Sequence, residues 1–341
     1  MKKKGLYWFK IILGIGIVSV LYTQISQTDS IGNAFLSTNW VNVSLCIVLL
    51  IPNLYMAFLK WFYLLHKKFP DISTGEVFGS LLFGYTLGLI TPGRLGELGR
   101  GLFFPQRDKA VITGLNIIDK AFNQLVFFSL GCFSLWSMYL GGYLPEWKHL
   151  PLVLIPATTV IVLLWLLLLN PAFIRRLLNR LAARNHLKSR LLRATAALNH
   201  FSRRDSLVVL GLSLVWILVV VLQYHVLVLA FTTVSVWASF HAVTSTLFIK
   251  TLLPITFADL GIREGIAIFF FSQFQVSRAA VFNASLLIFI INFLTPAISG
   301  TYFLFRLKSK QPEREIPLVT EIVSDQYQPT STPVNSDIAN D

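Results

Sequence analysis

Ile90-Thr91-Pro92-Gly93-Arg94-Leu95-Gly96-Glu97-Leu98-Gly99-Arg100 is a charged, glycine-rich run set inside membrane-hydrophobic sequence. The stretch before it, Val77 to Leu89, is apolar and small. Thr91 is a good helix N-cap and Pro92 suits the first helical position, so a helix breaks and restarts here. In the restarted helix Arg94, Glu97 and Arg100 recur every three residues and share one face. Gly93, Gly96 and Gly99 recur at the same interval on a neighbouring face and let another backbone approach. Ionisable groups at membrane depth cost roughly 3 kcal/mol each on insertion scales. A folding salt bridge between packed helices is the plain explanation for three of them; a site on a substrate pathway is the sharper one, and the helix break favours it.

The stretch has a second copy. Ser245 to Gly265, S-T-L-F-I-K-T-L-L-P-I-T-F-A-D-L-G-I-R-E-G, aligns without gaps on Ser80 to Arg100 at an offset of 165, with nine of 21 positions identical. Leu and Ile matches are cheap in apolar sequence, but the spaced pattern Thr91-x-x-x-Leu95-Gly96 after Ser80-x-Leu82-Phe83, shared with Thr256, Leu260 and Gly261 after Ser245, Leu247 and Phe248, is not. Interrupted hydrophobic segments at corresponding places in two halves point to a transporter's binding site.

The rest of the chain is membrane protein too. Of 341 residues 55% are hydrophobic and 13% charged, and the mean hydropathy is +0.66. The net charge of +13 would suit nucleic acid, but nine of the 29 Lys and Arg fall between Arg175 and Arg204, flanked by apolar segments. That is the positive-inside signal and a surface for anionic headgroups, so no nucleic-acid partner is expected. No cleavable signal is evident after Leu6–Tyr22, which reads as a retained helix. Cys46 and Cys132 lie in apolar segments with no disulfide or metal spacing, and no cofactor or metal is expected.

Full spans are predicted at about Tyr7–Tyr22, Val43–Leu65, Val111–Leu140, Leu152–Leu169, Leu207–Ala230 and Ala279–Phe305. Trp61, Tyr63 and His66 are placed at the interfacial end of the second. Broken elements are predicted at about Glu76–Phe104 and His241–Phe271. Basic residues flank the first on both sides, as expected of a hairpin that enters and leaves from the cytoplasm; the second enters from outside. The reading is thus an all-α polytopic protein of eight hydrophobic segments: six full spans and two re-entrant broken helices. They form inverted-topology repeats, about 6–140 and 151–306, meeting near the midplane. Both termini are placed in the cytoplasm, and 307–341, polar with several prolines, as a disordered tail. Arg175–Arg204, with Leu177, Leu178 and Leu181, reads either as a helix in the headgroup layer or as a solvated loop.

Candidate substrate-binding residues are the intramembrane ionisable groups: Arg94, Glu97, Arg100 and Asp119 in the first half, Lys250, Asp259, Arg263 and Glu264 in the second. Asp259 and Arg263 are four apart, acid first, the better order for a helical pair. For Asp119-Lys120 the plain reading is interfacial snorkelling by Lys120. His241 is placed at an interface, and His225, beside Gln223, reads as a hydrogen-bonded packing group. Two basic centres at helix N-termini suit a phosphate-bearing headgroup. Glu97, Asp119, Asp259 and Glu264 are the residues on which any proton coupling would rest. No hydrolase or nucleotide motif is present, so catalysis is not the expectation. A transferase using Asp259 or Glu264 as base on a polyprenyl-phosphate substrate is the alternative, and a non-catalytic scaffold for such an enzyme a third.

Thr91 to Arg100, then Asp119, then Pro254-Ile255-Thr256 through Leu260-Gly261-Ile262-Arg263-Glu264-Gly265 resemble the flippase-like membrane domain of lysylphosphatidylglycerol synthase/flippase proteins. The similarity covers about Gly5 to Arg306. It implies an inner-membrane protein that moves aminoacylated or other phospholipids between leaflets, with Arg94, Glu97, Arg100, Asp119, Arg263 and Glu264 as its functional positions. Phe257-Ala258-Asp259 stands where the family usually has glycines. No soluble aminoacyl-transfer domain follows, so a separate synthase, or a glycosyltransferase using a polyprenyl-phosphate-linked lipid, is the expected partner.

Overall fold

The computed structural model describes residues 2–26, 31–176, 201–253 and 259–310, all helix and connections with no strand among them. Expectations for Pro254-Ile255-Thr256, for most of the basic stretch, including His186 and His200, and for the tail beyond 310 fall outside the described residues. The chain divides into Met1–Leu304 and Phe305–Asp341, and apart from the bounds of the last helix everything below concerns the first unit.

The helices are α1 Lys2–Ser26, α2 Ile31–Leu36, α3 Trp40–Val48, α4 Leu50–Lys68 and α5 Thr74–Leu89, followed by a 3-10 helix, Pro92–Phe103. Then come α6 Lys109–Leu140, α7 Leu150–Leu168, α8 Arg203–Leu229, α9 Val236–Leu252, α10 Ile262–Ser272 and α11 Arg278–Phe289. A π-helical turn, Ile290–Leu294, joins α11 to α12, Thr295–Lys310. Among the described residues five segments are long and apolar enough to cross a membrane: Trp40–Lys68, α6, α7, α8 and Arg278–Phe303. In α1 the apolar helix Ile15–Ser26 is shorter than that. Large apolar side chains such as Leu152, Val153, Leu163 and Leu166 on α7 are exposed, as expected where lipid is the solvent.

Local sequence sets the starts. Ser73 and Glu76 form a reciprocal capping box on α5, and Ser202 and Asp205 form one on α8. Asp108 accepts the Ala110 N–H at 2.8 Å to start α6. Thr91 does not cap in the usual way. Its hydroxyl donates to the Leu87 carbonyl at 2.8 Å and accepts the Gly96 N–H at 2.6 Å, stapling the two sides of the break.

The restarted helix is 3-10 rather than α. With three residues per turn, residues three apart eclipse, so Arg94, Glu97 and Arg100 form one row. The 3-10 helix doubles back along α5, with Phe103 against Gly79, Arg100 against Gly84 and Glu97 against Gly88. A bidentate Arg107–Asp71 pair, 2.8 and 3.1 Å, ties the hairpin's base. Hydrogen bonding to Arg107 holds the exposed Asp71 carboxyl below the usual range. α9 and α10 also pack on each other, and at their ends away from the break Thr233–Ser235, Trp237, Ala238 and Gln273–Val276 line one pocket with Tyr143. α6 begins beside the base of the first hairpin and ends beside that of the second.

Two apolar cores result. One gathers α4, α5 and the start of α6; the other gathers the end of α6 with α7 to α11. The α11–π segment interlocks them: Val281, Phe282 and Ile288 belong to the second core, Phe289 and Phe293 to the first. Asn53 on α4, Gln223 on α8 and Asn292 in the π turn add an amide knot with bonds of 2.5 and 2.9 Å.

Candidate functional site

The row on the 3-10 helix faces α6 and α4. Arg94 Nε donates to Glu97 Oε1 at 2.7 Å, and Lys120 on α6 ion-pairs with Glu97 Oε2. Arg100 reaches Asp119 Oδ2 at 3.2 Å and lies 3.9 Å from Glu97 Oε2. Lys60 on α4 completes the set, 2.9 Å from Asp119 Oδ1, hydrogen-bonded also to Asn123, and 3.2 Å from Ser213 on α8. Asn116 donates to the Glu97 backbone carbonyl at 2.6 Å, fixing the row against α6. Four basic groups thus surround two carboxylates. Lys60, Glu97, Arg100 and Asp119 are buried, whereas the side chains of Arg94 and Lys120 keep 31% and 36% exposure. The open edge of the cluster is cationic.

The second cluster is balanced. Lys250 near the end of α9 lies 3.5 Å from Asp259 Oδ2, and Arg263 pairs with its neighbour Glu264 at the start of α10. Glu264 Oε2 accepts the Gly261 N–H at 2.7 Å, satisfying one orphan donor of that helix start. Arg263 Nε donates to Ser285 Oγ at 3.3 Å. The expected Asp259–Arg263 helical pair does not form. Asp259 precedes α10 with φ 62°, so helical spacing does not govern it, and it turns to Lys250 instead.

An aromatic pair connects the clusters. Arg94 sits 3.9 Å over the Phe293 ring and Arg263 5.1 Å over that of Phe289. The two rings lie 5.5 Å apart across the π turn. Arg94 and Asp259 also correspond in the repeat, and both are non-glycine residues in the left-handed region, at φ 57° and 62°. Opposite charge and like backbone at matched positions give the two broken elements a shared geometry that residue identity alone conceals.

All eight sequence candidates therefore lie in one of two clusters. Lys60 and Lys120 join the first, and Phe289 and Phe293 sit between the two. Lys60 satisfied the same rule as the others, an ionisable residue inside an apolar span. Lys120 pairs with Glu97 rather than snorkelling. Trp61 is fully buried within the protein, donating to Ser80 Oγ at 2.8 Å under Arg100. His241 is likewise buried, edge-on to Trp237 at 3.9 Å. His225 Nδ1 lies 2.8 Å from Ser239 Oγ, as a packing histidine should.

Beside α9 lies an apolar cavity of about 730 Å³ between α6, α7 and α9, lined by Phe128, Leu135, Leu154, Val160, Phe248 and Leu252. No curated protein and no solved structure matches the chain. Residues 7–300 match the model of the family described as the lysylphosphatidylglycerol synthase TM region, a stretch holding both broken elements and every residue of the two clusters, and the chain belongs to that family.

Proposed function

We propose that this protein is a lipid translocator, passing a phospholipid (plain or aminoacylated) or a lipid-linked intermediate between leaflets with its headgroup at the first cluster. The observation that carries this reading is the excess of four basic groups over two carboxylates, with Arg94 and Lys120 at the open edge. Buried charges favour pairing, so the surplus cations are best satisfied by an anionic group such as a lipid phosphate. The cavity beside α9 offers an apolar surface for an acyl chain near the charged second cluster. Binding and movement, not catalysis, are the activity proposed, with membrane lipids as partners and a separate synthase or glycosyltransferase supplying the lipid.

In this reading the α5/3-10 and α9/α10 hairpins are re-entrant elements of two inverted repeats, entering from opposite faces of an inner membrane. The tied base of the first, the shared pocket at the base of the second, and α6 running between them support it.

The test is translocation of reporter phosphatidylglycerol, aminoacyl-phosphatidylglycerol and a polyprenyl-phosphate sugar in proteoliposomes. Arg94→Asn removes the charge while tolerating the left-handed backbone. It should slow the transported lipid by about tenfold or more, the loss of one charge-assisted contact. A folded wild type that moves none of the three, or an Arg94→Asn variant as fast as wild type, would sink the proposal.

A further inference from the structure

The pocket at the base of the second hairpin is a different kind of place from the charged clusters. It encloses about 310 Å³, at the small end for a ligand site. Tyr143 and Trp237 contribute aromatic faces; Thr233, Ser235, Gln273 and Gln275 contribute hydroxyls and amides. Among the described residues its lining contains no Asp, Glu, Lys or Arg. Three connections converge on it, those after α6, after α8 and after α10.

Gln275 occupies an unusual position. α10 ends in a Schellman motif, with the Val276 N–H bonded to the Phe271 carbonyl at 3.3 Å and the Gln275 N–H to that of Ser272 at 3.0 Å. The residue at this point of the motif is left-handed and is usually glycine. Here it is Gln at φ 59°, one of three non-glycine residues with positive φ among those described. The other two, Arg94 and Asp259, are both cluster residues. Strain retained by a side chain that lines a pocket points to a use for that side chain. Gln273 Nε2 is committed to the Phe269 carbonyl at 3.2 Å, leaving its own carbonyl to accept. The Ser235 hydroxyl accepts the Ala238 N–H at 3.1 Å and retains its proton to donate.

From this we infer that the pocket binds a neutral glycosyl group. A sugar ring presents several hydroxyls that both donate and accept, matching paired amides and hydroxyls, and apolar C–H faces that suit Tyr143 and Trp237. A phosphate or carboxylate would meet no counter-charge among the described residues of the lining. Interfacial tryptophans and tyrosines are common at membrane surfaces, but that role calls for neither converging amides nor a glutamine where glycine is easier. The inference does not rest on lipid transport, since binding is read without movement.

The ring has two sources, a sugar in solution or the headgroup of a glycolipid. Full-length protein in nanodiscs would be tested by saturation-transfer NMR with methyl glucoside, methyl galactoside and methyl mannoside. Native mass spectrometry would follow nanodiscs containing glucosyl-diacylglycerol, with phosphatidylglycerol as the comparison. Binding of a methyl glycoside, or retention of the glycolipid over phosphatidylglycerol, is expected, and the responding arm names the source. Gln275→Gly should weaken that binding about fivefold while leaving the Tm equal or higher, because glycine relieves the backbone. Trp237→Leu should weaken it as well. No binding in either arm, or binding unchanged in both variants, would overturn the assignment.

Discussion

Lys60 and Asp119 hold each other at 2.9 Å where almost no solvent reaches. Removing Asp119 strands Lys60, whose other partners, Asn123 and Ser213, are neutral, and an uncompensated buried charge costs about 3–5 kcal/mol. Asp119→Leu should lower thermal stability in detergent by that order, and Lys60→Met by less, because Asp119 then keeps Arg100 at 3.2 Å. The double variant should be more stable than the summed singles predict, by about 1–3 kcal/mol; strict additivity would show that the pair is not coupled. Sequence reasoning finds Asp119 but passes over Lys60, because Trp61 to Lys68 reads as an interfacial helix end. What decides the matter is that α4 turns Lys60 onto α6, a contact 59 positions away in the chain. The failure of Asp259 with Arg263 is of another kind. The four-residue rule holds inside a helix, and Asp259 is outside one.

For the first broken element, glycine decides how closely the 3-10 helix can lie on α5. A Cβ at Gly96 would land on the Leu87 carbonyl oxygen, which belongs to the backbone and cannot swing aside. Gly96→Ala should therefore destabilise the hairpin by about 2–3 kcal/mol, the cost of overpacking. Gly75→Ala, with nothing within 4 Å of the added methyl, should be neutral or slightly stabilising. Thermal melts of the two variants check this, and equal melts would show that the close approach is not needed. The three-residue spacing of charge and glycine is legible in the sequence, and so is the break at Pro92. The 3-10 form is not legible there, since residues three apart also share a face of an α-helix; the structure shows the tighter turn that stacks Arg94, Glu97 and Arg100 in register. The π turn at Ile290–Leu294 carries no comparable mark. It comes from packing Asn292 against Gln223 and Phe293 beneath Arg94, partners that local sequence does not reveal.

Across the whole molecule, the expected order of the segments comes from loop charges, since most Lys and Arg of the connections fall where a cytoplasmic face is expected, with Arg278 the main exception. They do not show how the halves interlock. The Phe289–Phe293 pair that joins the two arginines lies on a segment that reads as plain apolar helix. Orientation in the bilayer can be tested by single-cysteine labelling, favoured by the burial of both native cysteines, Cys46 and Cys132. Gly75→Cys and Gln106→Cys flank the first hairpin; Thr233→Cys marks the start of the second. An impermeant maleimide applied to intact cells should label Thr233→Cys, and should reach Gly75→Cys and Gln106→Cys only after permeabilisation. Labelling of Gly75→Cys and Gln106→Cys from opposite sides would make the first element a crossing helix, incompatible with the Arg107–Asp71 pair that closes it. Labelling of all three from one side would leave the hairpins entering from the same face, and with it the inverted repeat would be lost. Only the divided pattern places Arg94 and Arg263 on elements that reach the aromatic pair from opposite leaflets, the geometry a headgroup needs to be handed across.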